Sequence, residues 1–353
     1  MEYIKLYEDF INTDEYLINI NKDWNNYDLK NYDLKIYPIQ IVQRGRGLTS
    51  KRENFTLKMM DNIYKKYIYM VLIDGDKKKY KSNFNVPNYR NREINYNYPI
   101  LNFSAKPHYF ITLADTNIKP KVFNKLEDYP ISSSKVKFSQ SFNNEFFLPK
   151  TVFNIKDIKQ LKLPIIAKPD KGCSARGIEK FKTYEEAEQS TLKFALWCEA
   201  KDLIREFRVF ILNNNIIHLS ERVTNFDHNM SVGIKKPNER IDLVYLDQKI
   251  DGFPYMNQII NIKNIISKKV KLDFYVIDLM LDRDNKLWVP EINGAPGIGP
   301  SIFCDMYEPY VKFAYNKKIS DTIKNELKLI KDEYIYKMHQ TYIKEYKYSL
   351  NPE

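Results

Sequence analysis

The chain is short of the residues that make many sites easy to recognise. It has 3 cysteines in 353 residues, Cys173, Cys198 and Cys304. They are odd in number and far apart, so they form neither a disulfide framework nor a CxxC metal pair. The 4 histidines are scattered and give no metal-ligand spacing. No Ser/His/Asp or Cys/His set suggests a nucleophilic enzyme. Glycine is scarce, at 10 residues, and no GxxxxGK[ST] stretch occurs. No apolar run approaches the roughly 20 residues that span a bilayer, and MEYIKLYEDF has no signal-peptide core. The expectation is a soluble, cytoplasmic protein without a membrane partner. No aromatic-basic stripe of the RNP kind is present, so no specific nucleic-acid partner is expected.

What is present is charge and apolar content. The chain is 43% hydrophobic and 29% charged, with a net charge of +11. Its length allows two or three cores. The basic balance favours an anionic partner, but Asn, Lys, Ile and Tyr crowd the whole chain, as in NYDLKNYDLKIY (26–37). An AT-rich genome produces that composition without selection for binding, so charge alone decides nothing.

Short β-like runs lead the chain: KIYPIQIV (35–42), YIYMVLID (67–74) and PHYFITL (107–113). They predict a small α/β or β-rich leading domain over 1–115. From there the pattern predicts a helix in ISSSKVKFSQSF, a strand from Thr151, a short helix in KDIKQLK and a strand in LPIIAKP. A small-residue loop, DKGCSARG, a returning strand, IEKF, and a helix over 184–195 follow. Then come paired strands REFRVFIL and NIIHLSERVT, a helix ending near Lys271, and a hairpin of LDFYVIDLMLD with KLWVPEIN. A terminal helix is predicted over 320–346.

Two stretches carry chemistry. In AKPDKGCSARGI, Lys168 ends a strand, and Gly172, Ser174, Arg176 and Gly177 form a loop whose backbone can approach an anion. The plainer reading is a hairpin with a flexible tip. In DLMLDRDNKLWVPEINGAPG, Glu291 and Asn293 are two apart and share a strand face. An antiparallel partner can bring Asp278 beside them, giving three oxygen ligands of the kind magnesium prefers. Asp282 and Asp284 read as solvated turn residues.

The ordered set of LPKT, IIAKPDKGCSARGI, REFRVFIL, SER and DLMLDRDNKLWVPEIN resembles the ATP-grasp superfamily over about residues 130–300. Within it, FYVIDLMLDRDNKLWVPEIN is most similar to the tubulin–tyrosine ligases and their peptide-extending relatives. The resemblance implies an α/β (α+β) fold, with two α+β subdomains, 116–195 and 196–353, clasping ATP behind the leading domain. It implies that Asp278, Glu291 and Asn293 hold magnesium, in two ions, and that Lys168 and Lys135 reach the nucleotide phosphates. It further implies that DKGCSARG closes over the triphosphate, and that LWCE (196–199) is an adenine-clamping hinge. Trp197 lies within that hinge, and Glu199 is suited to the ribose hydroxyls. Arg208 and Arg222 resemble the arginines of the active-site sheet, Arg222 being the better placed for the transferred phosphoryl.

The implied activity is an ATP-dependent carboxylate–amine ligase acting on an acidic peptide, a protein tail or an amino acid. CSARG has less glycine than many relatives, and the Pro-Gly after EIN also occurs in inositol-phosphate kinases of the superfamily. A kinase of a polyanionic small molecule is therefore the alternative, with a nucleotide-binding scaffold as a third. Plainer readings stand beside the site: Lys135 as an exposed helix lysine, Arg208 as the partner of a neighbouring acid, and Trp197 and Trp288 as core.

Overall fold

The computed structural model describes residues 36–44, 59, 63, 66–73, 98–103, 121–171, 177–224 and 243–342. The chain divides into Met1–Ile36 and Tyr37–Glu353, and all described residues except Ile36 lie in the second unit. The predicted strand over 107–113 lies outside the described residues, as do Gly172, Ser174 and Arg176.

Three sheets organise the second unit. The first is parallel, in the order β2-β1-β3-β4, with β1 Ile39–Arg44, β2 Ile68–Ile73, β3 Ile100–Asn102 and β4 Val122–Phe123. Ile39, Ile41, Ile68, Ile100 and Leu101 are buried, as the consecutive apolar residues of a covered parallel sheet should be. The second sheet is antiparallel, in the order β5-β8-β6-β7. Its strands are β5 Thr151–Val152, β6 Ile165–Lys168, β7 Glu179–Phe181 and β8 Leu196–Glu199.

The third sheet has five antiparallel strands, in the order β11-β10-β9-β12-β13. They are β9 Leu203–Leu212, β10 Asn215–Thr224, β11 Leu243–Asp247, β12 Phe274–Asp282 and β13 Leu287–Asn293. Period-two alternation gives it two unlike faces. Phe207, Val209, Ile211, Leu219, Tyr275, Ile277, Leu279 and Ile292 enter one apolar cluster. Helices α1 (Lys135–Ser141) and α3 (Met256–Lys269) supply Phe138, Ile259, Ile262 and Ile266 to the same cluster. The opposite face carries Glu206, Arg208, Asp278 and Glu291. Tight turns close the hairpins through left-handed asparagines, Asn213 and Asn214 between β9 and β10, and Asn285 between β12 and β13.

Helix α2 covers Tyr184–Gln189 and is shorter than the stretch predicted over 184–195. Its start has a reciprocal capping box between Thr183 and Glu186. Helix α4, Pro300–Tyr315, was not visible in the pattern. It buries Phe303, Met306, Tyr307, Tyr310 and Val311, keeps its three charged residues, Asp305, Glu308 and Lys312, on one face, and contains Pro309. It packs on β9 and β10, and Tyr307 and Tyr310 accept or donate hydrogen bonds at the backbone of Tyr37 and Pro99. Helix α5, Asp321–Tyr342, packs on α4 through Ile323, Leu327, Ile330 and Tyr334. Among the described residues no helix is long and apolar enough to cross a membrane.

Two buried side chains fasten the parallel sheet to the end of β13. The Asn124 amide pairs with Phe274 as a strand would, donating to its carbonyl (2.6 Å) and accepting from its N–H (2.8 Å). The Tyr129 hydroxyl donates to the carbonyls of Asn102 (2.5 Å) and Gly294 (3.1 Å). Gly294 is where these elements meet. A Cβ there would lie 2.7 Å from Tyr129 Cε1 and 2.9 Å from Leu272 Cδ1. Gly294→Ala is expected to cost about 1–3 kcal/mol through overpacking, read as a lowered urea midpoint with an unchanged slope.

Candidate active site

The charged face of the third sheet is set by strand register. Ser220, Arg208, Asp278 and Glu291 occupy consecutive positions across β10, β9, β12 and β13. Two residues along the strands, Arg222 opposes Glu206; in the other direction Phe210, Val276 and Asn293 align. The ladder therefore places Asp278, Glu291 and Asn293 on one face, as the spacing predicted.

The charges are paired across the strands. Arg208 Nε lies 2.8 Å from Asp278 Oδ1, and its Nη2 lies 3.5 Å from Oδ2. Arg222 Nη1 donates to Glu206 Oε1 at 2.5 Å. Lys135 Nζ, at the start of α1, is 3.0 Å from Glu291 Oε2. Its side chain is 14% exposed, so it is not the solvated helix lysine of the plainer reading. Arg208 does pair with a neighbouring acid, and that acid is one of the predicted metal ligands. Burial of Asp278 pushes its carboxyl up from the ordinary 3.8 to about 6. Arg208 opposes that shift, while the like charges of Glu291 and Glu206 add to it. Asn293 Oδ1 accepts from the N–H of Ala295 at 2.9 Å.

Asp170, which the sequence pattern did not single out, ties the small-residue loop to α1. Its Oδ1 accepts from the Ser134 hydroxyl (2.5 Å) and the Val136 N–H (3.0 Å), and its carbonyl accepts from the Lys135 N–H (3.1 Å). Burial works against the Asp170 charge, but these hydrogen bonds hold its carboxyl below the usual range. The same contacts fix where Lys135 starts its helix. Gly177 closes the far end of the loop with φ +72, a left-handed conformation that suits glycine.

Lys168 ends β6 opposite Leu196, and Cys198 lies opposite Ile166, which puts Lys168 and Cys198 on one face of the second sheet. Trp197 faces the other way. It is 6% exposed and packs in the apolar cluster with Val152, Ile165, Ala167 and Phe181. Its ring is thus core, as the plainer reading had it. Both oxygens of Glu199 are engaged, Oε1 by the Lys162 N–H (3.2 Å) and Oε2 by Lys201 Nζ (3.0 Å). Glu206 is the acid that sequence reasoning missed; in REFR it alternates with Arg208, and that alternation was its signal.

Asp282 corrects an expectation. It is a turn residue, but it is 7% exposed rather than solvated. It accepts from the N–H groups of Asp284 (3.0 Å) and Lys286 (2.8 Å) and from the Trp288 indole (2.6 Å). The Trp288 ring has the ammonium groups of Lys201 and Lys286 within 4.6 and 3.9 Å of its centroid and is otherwise buried.

No protein-family model matches the sequence, and no curated protein matches it. Solved structures do resemble the fold. One is the N5-carboxyaminoimidazole ribonucleotide synthetase of Thermotoga maritima, with TM-score 0.52 and 12% identity, covering 81% of this chain and 77% of that one. Another is the D-alanine–D-alanine ligase of Bacillus anthracis, with TM-score 0.50 and 13% identity, covering 86% and 99%. The chain has the ATP-grasp fold, here a mixed α/β architecture with one parallel and two antiparallel sheets.

The raised carboxyl at Asp278 gives a pH test. Its folded form binds a proton more tightly than the unfolded chain does, so its contribution to stability is intact below about pH 4. That contribution is lost as pH rises through about 6. The stability of the wild-type chain relative to Asp278→Asn is expected to fall across that window by up to about 3 kcal/mol. Urea unfolding of both proteins from pH 4 to pH 7 measures it, and a flat difference contradicts the burial account.

Proposed function

We propose that the protein is an ATP- and magnesium-dependent ligase that joins a carboxylate to an amine through an acyl phosphate. The observation that carries this reading is the in-register pair Asp278–Glu291, with Arg208 on one carboxylate and Lys135 on the other. Two carboxylates side by side, one buried and pushed up towards neutrality, form a setting that a divalent cation would relieve. The side chains of this face already balance: Lys135, Arg208 and Arg222 stand against Glu206, Asp278 and Glu291. A triphosphate with its divalent cations adds little net charge to such a face, whereas a bare triphosphate adds much.

In this reading Asp278, Glu291 and Asn293 hold the magnesium ions, which when bound would neutralise charge at the β- and γ-phosphates. Lys135 and Lys168 orient the phosphates as point charges. Gly177 and the loop positions Gly172, Ser174 and Arg176 complete the phosphate cradle. Backbone groups of 196–199 and the Glu199 carboxylate receive the nucleoside. Arg222, fixed by Glu206, is presented to the phosphoryl group as it leaves ATP for the substrate carboxylate, and Arg208 favours the charged form of Asp278 and holds it in place. The amine then displaces phosphate to give the amide. Residues 1–115 would supply acceptor binding, with 116–195 and 196–353 forming the two halves around the nucleotide. The likeness of FYVIDLMLDRDNKLWVPEIN to tubulin–tyrosine ligases favours an acidic peptide or protein tail as acceptor, and a cytoplasmic setting suits it.

The test is ADP release from ATP and magnesium in the presence of an amino-acid and peptide pool. A ligase gives release that depends on an added amine, with a peptide lengthened by one residue in the mass spectrum. Release that needs only a phosphorylated polyol would identify a kinase instead. Glu291→Gln is expected to lower amine-dependent turnover by about a hundredfold or more. Arg222→Met is expected to lower kcat with little change in the KM for ATP.

A further inference from the structure

The same face of β10 carries a second polar group, away from the Asp278 row. His218 is 2% exposed and lies two residues before Ser220, under α4. Its Nδ1 is 2.8 Å from Asp305 Oδ2 on α4. Asp305 is in turn held by Lys331 of α5, whose Nζ is 2.6 Å from both carboxylate oxygens. His218 Nε2 points the other way. It is buried, has no hydrogen-bond partner, and sits 3.6 Å from Asp247 Oδ1 on β11. Asp247 also accepts from the Ser301 hydroxyl and lies 3.9 Å from Lys331 Nζ. Ser220 occupies the β10 position that pairs with Asp247, and its hydroxyl is likewise buried without a partner.

We propose that His218 Nε2 and Asp247 hold one divalent transition-metal ion of the zinc class, with the Ser220 hydroxyl at the same wall of the site. The 3.6 Å separation is too long for a hydrogen bond. It is close to the roughly 3.4 Å that separates two ligands of a tetrahedral zinc with bonds near 2.1 Å. The Asp305–Lys331 pair supplies what a metal-bound histidine usually needs, a carboxylate on its other nitrogen that fixes tautomer and ring orientation. Among the described residues, His218, Asp247 and Asp305 are the group of histidine and acidic side chains whose ligand atoms come within 4.8 Å of one another. A mixed nitrogen and oxygen set favours zinc, cobalt or manganese over magnesium, which prefers oxygen alone. The ion would fasten β10 to β11 on the strand that carries Ser220 and Arg222. This site uses none of Asp278, Glu291 or Asn293, and it does not rest on the ligase reading. The rival occupant is a second proton, which would make His218 an imidazolium between two carboxylates.

The experiment strips the full chain with a chelator, equilibrates it with Zn²⁺, removes free ion by gel filtration and counts retained zinc. Glu291→Gln serves as a background in which the nucleotide-side carboxylates are impaired. About one zinc per chain is expected in the wild type and in Glu291→Gln. It should be lost when His218→Gln or Asp247→Asn is added, with circular dichroism confirming that each variant is folded. Zinc should also raise the melting temperature of the Glu291→Gln chain but not of the chain carrying His218→Gln as well. X-ray absorption on the zinc-loaded wild type reads the ligands without any substitution, and imidazole with oxygens is expected. No retained zinc in the wild type, equal zinc after His218→Gln, or a sulfur-rich shell would overturn the proposal.

Discussion

The Arg208–Asp278 ion pair constrains the rest of the site. It joins β9, the middle strand of a five-stranded sheet, to its neighbour β12 on the face away from the apolar core, and Asp278 is 4% exposed. A buried carboxylate without its guanidinium is costly, so neither partner can drift from the other. Because β9 and β12 are locked in register by their ladder, that pair fixes what lies beside it. Glu291 falls next to Asp278 on one side and Ser220 next to Arg208 on the other. The Glu206–Arg222 pair repeats the arrangement one step along the strands. The chemistry of the face is thus an outcome of strand pairing more than of loop placement.

Helix α1 reaches this face from the second sheet's side of the chain. Asp170 caps it beside Ser134, and the helix then delivers Lys135 to Glu291. One short acidic side chain therefore links the end of β6, the start of a helix and a carboxylate on β13. The end of β13 is held independently, because Gly294 fits only without a side chain against Tyr129 and Leu272. The two restraints act on opposite ends of the stretch that carries Glu291 and Asn293.

Much of this was legible in the sequence because it follows from periodicity. The alternation in REFRVFIL, the apolar run of FYVIDLMLD and the turn asparagines dictated the paired strands, and the two-residue step from Glu291 to Asn293 dictated a shared face. The parts that were not legible have physical reasons. Helix α4 starts at the end of the Gly- and Pro-rich GAPGIGP and holds Pro309, so both its start and its middle carry residues that mark helix breaks. Helix α2 stops at Gln189, short of its expected length, because local propensity does not fix where the chain turns back into β8. The His218 cluster joins residues 218, 247, 305 and 331 from four elements, and no local spacing encodes such a meeting. Asp282 looked solvated because charge and turn position suggest it; the three donors that enclose it come from the fold.

The ladder between β12 and β13 shifts register between Asp278 and Met280. Strand side chains alternate, so every residue of β13 beyond that shift owes its face to the number of residues before it. Trp288 and Glu291 are three residues apart yet share a face, opposite Met280 and Asp278, because the shift absorbs one extra residue in β13. The 283–286 turn does not set this parity; its Asp284 and Lys286 N–H groups hold the Asp282 carboxylate instead. Glu291 thus reaches the charged face through one irregular step of the ladder, across an odd spacing where an unbroken strand needs an even one.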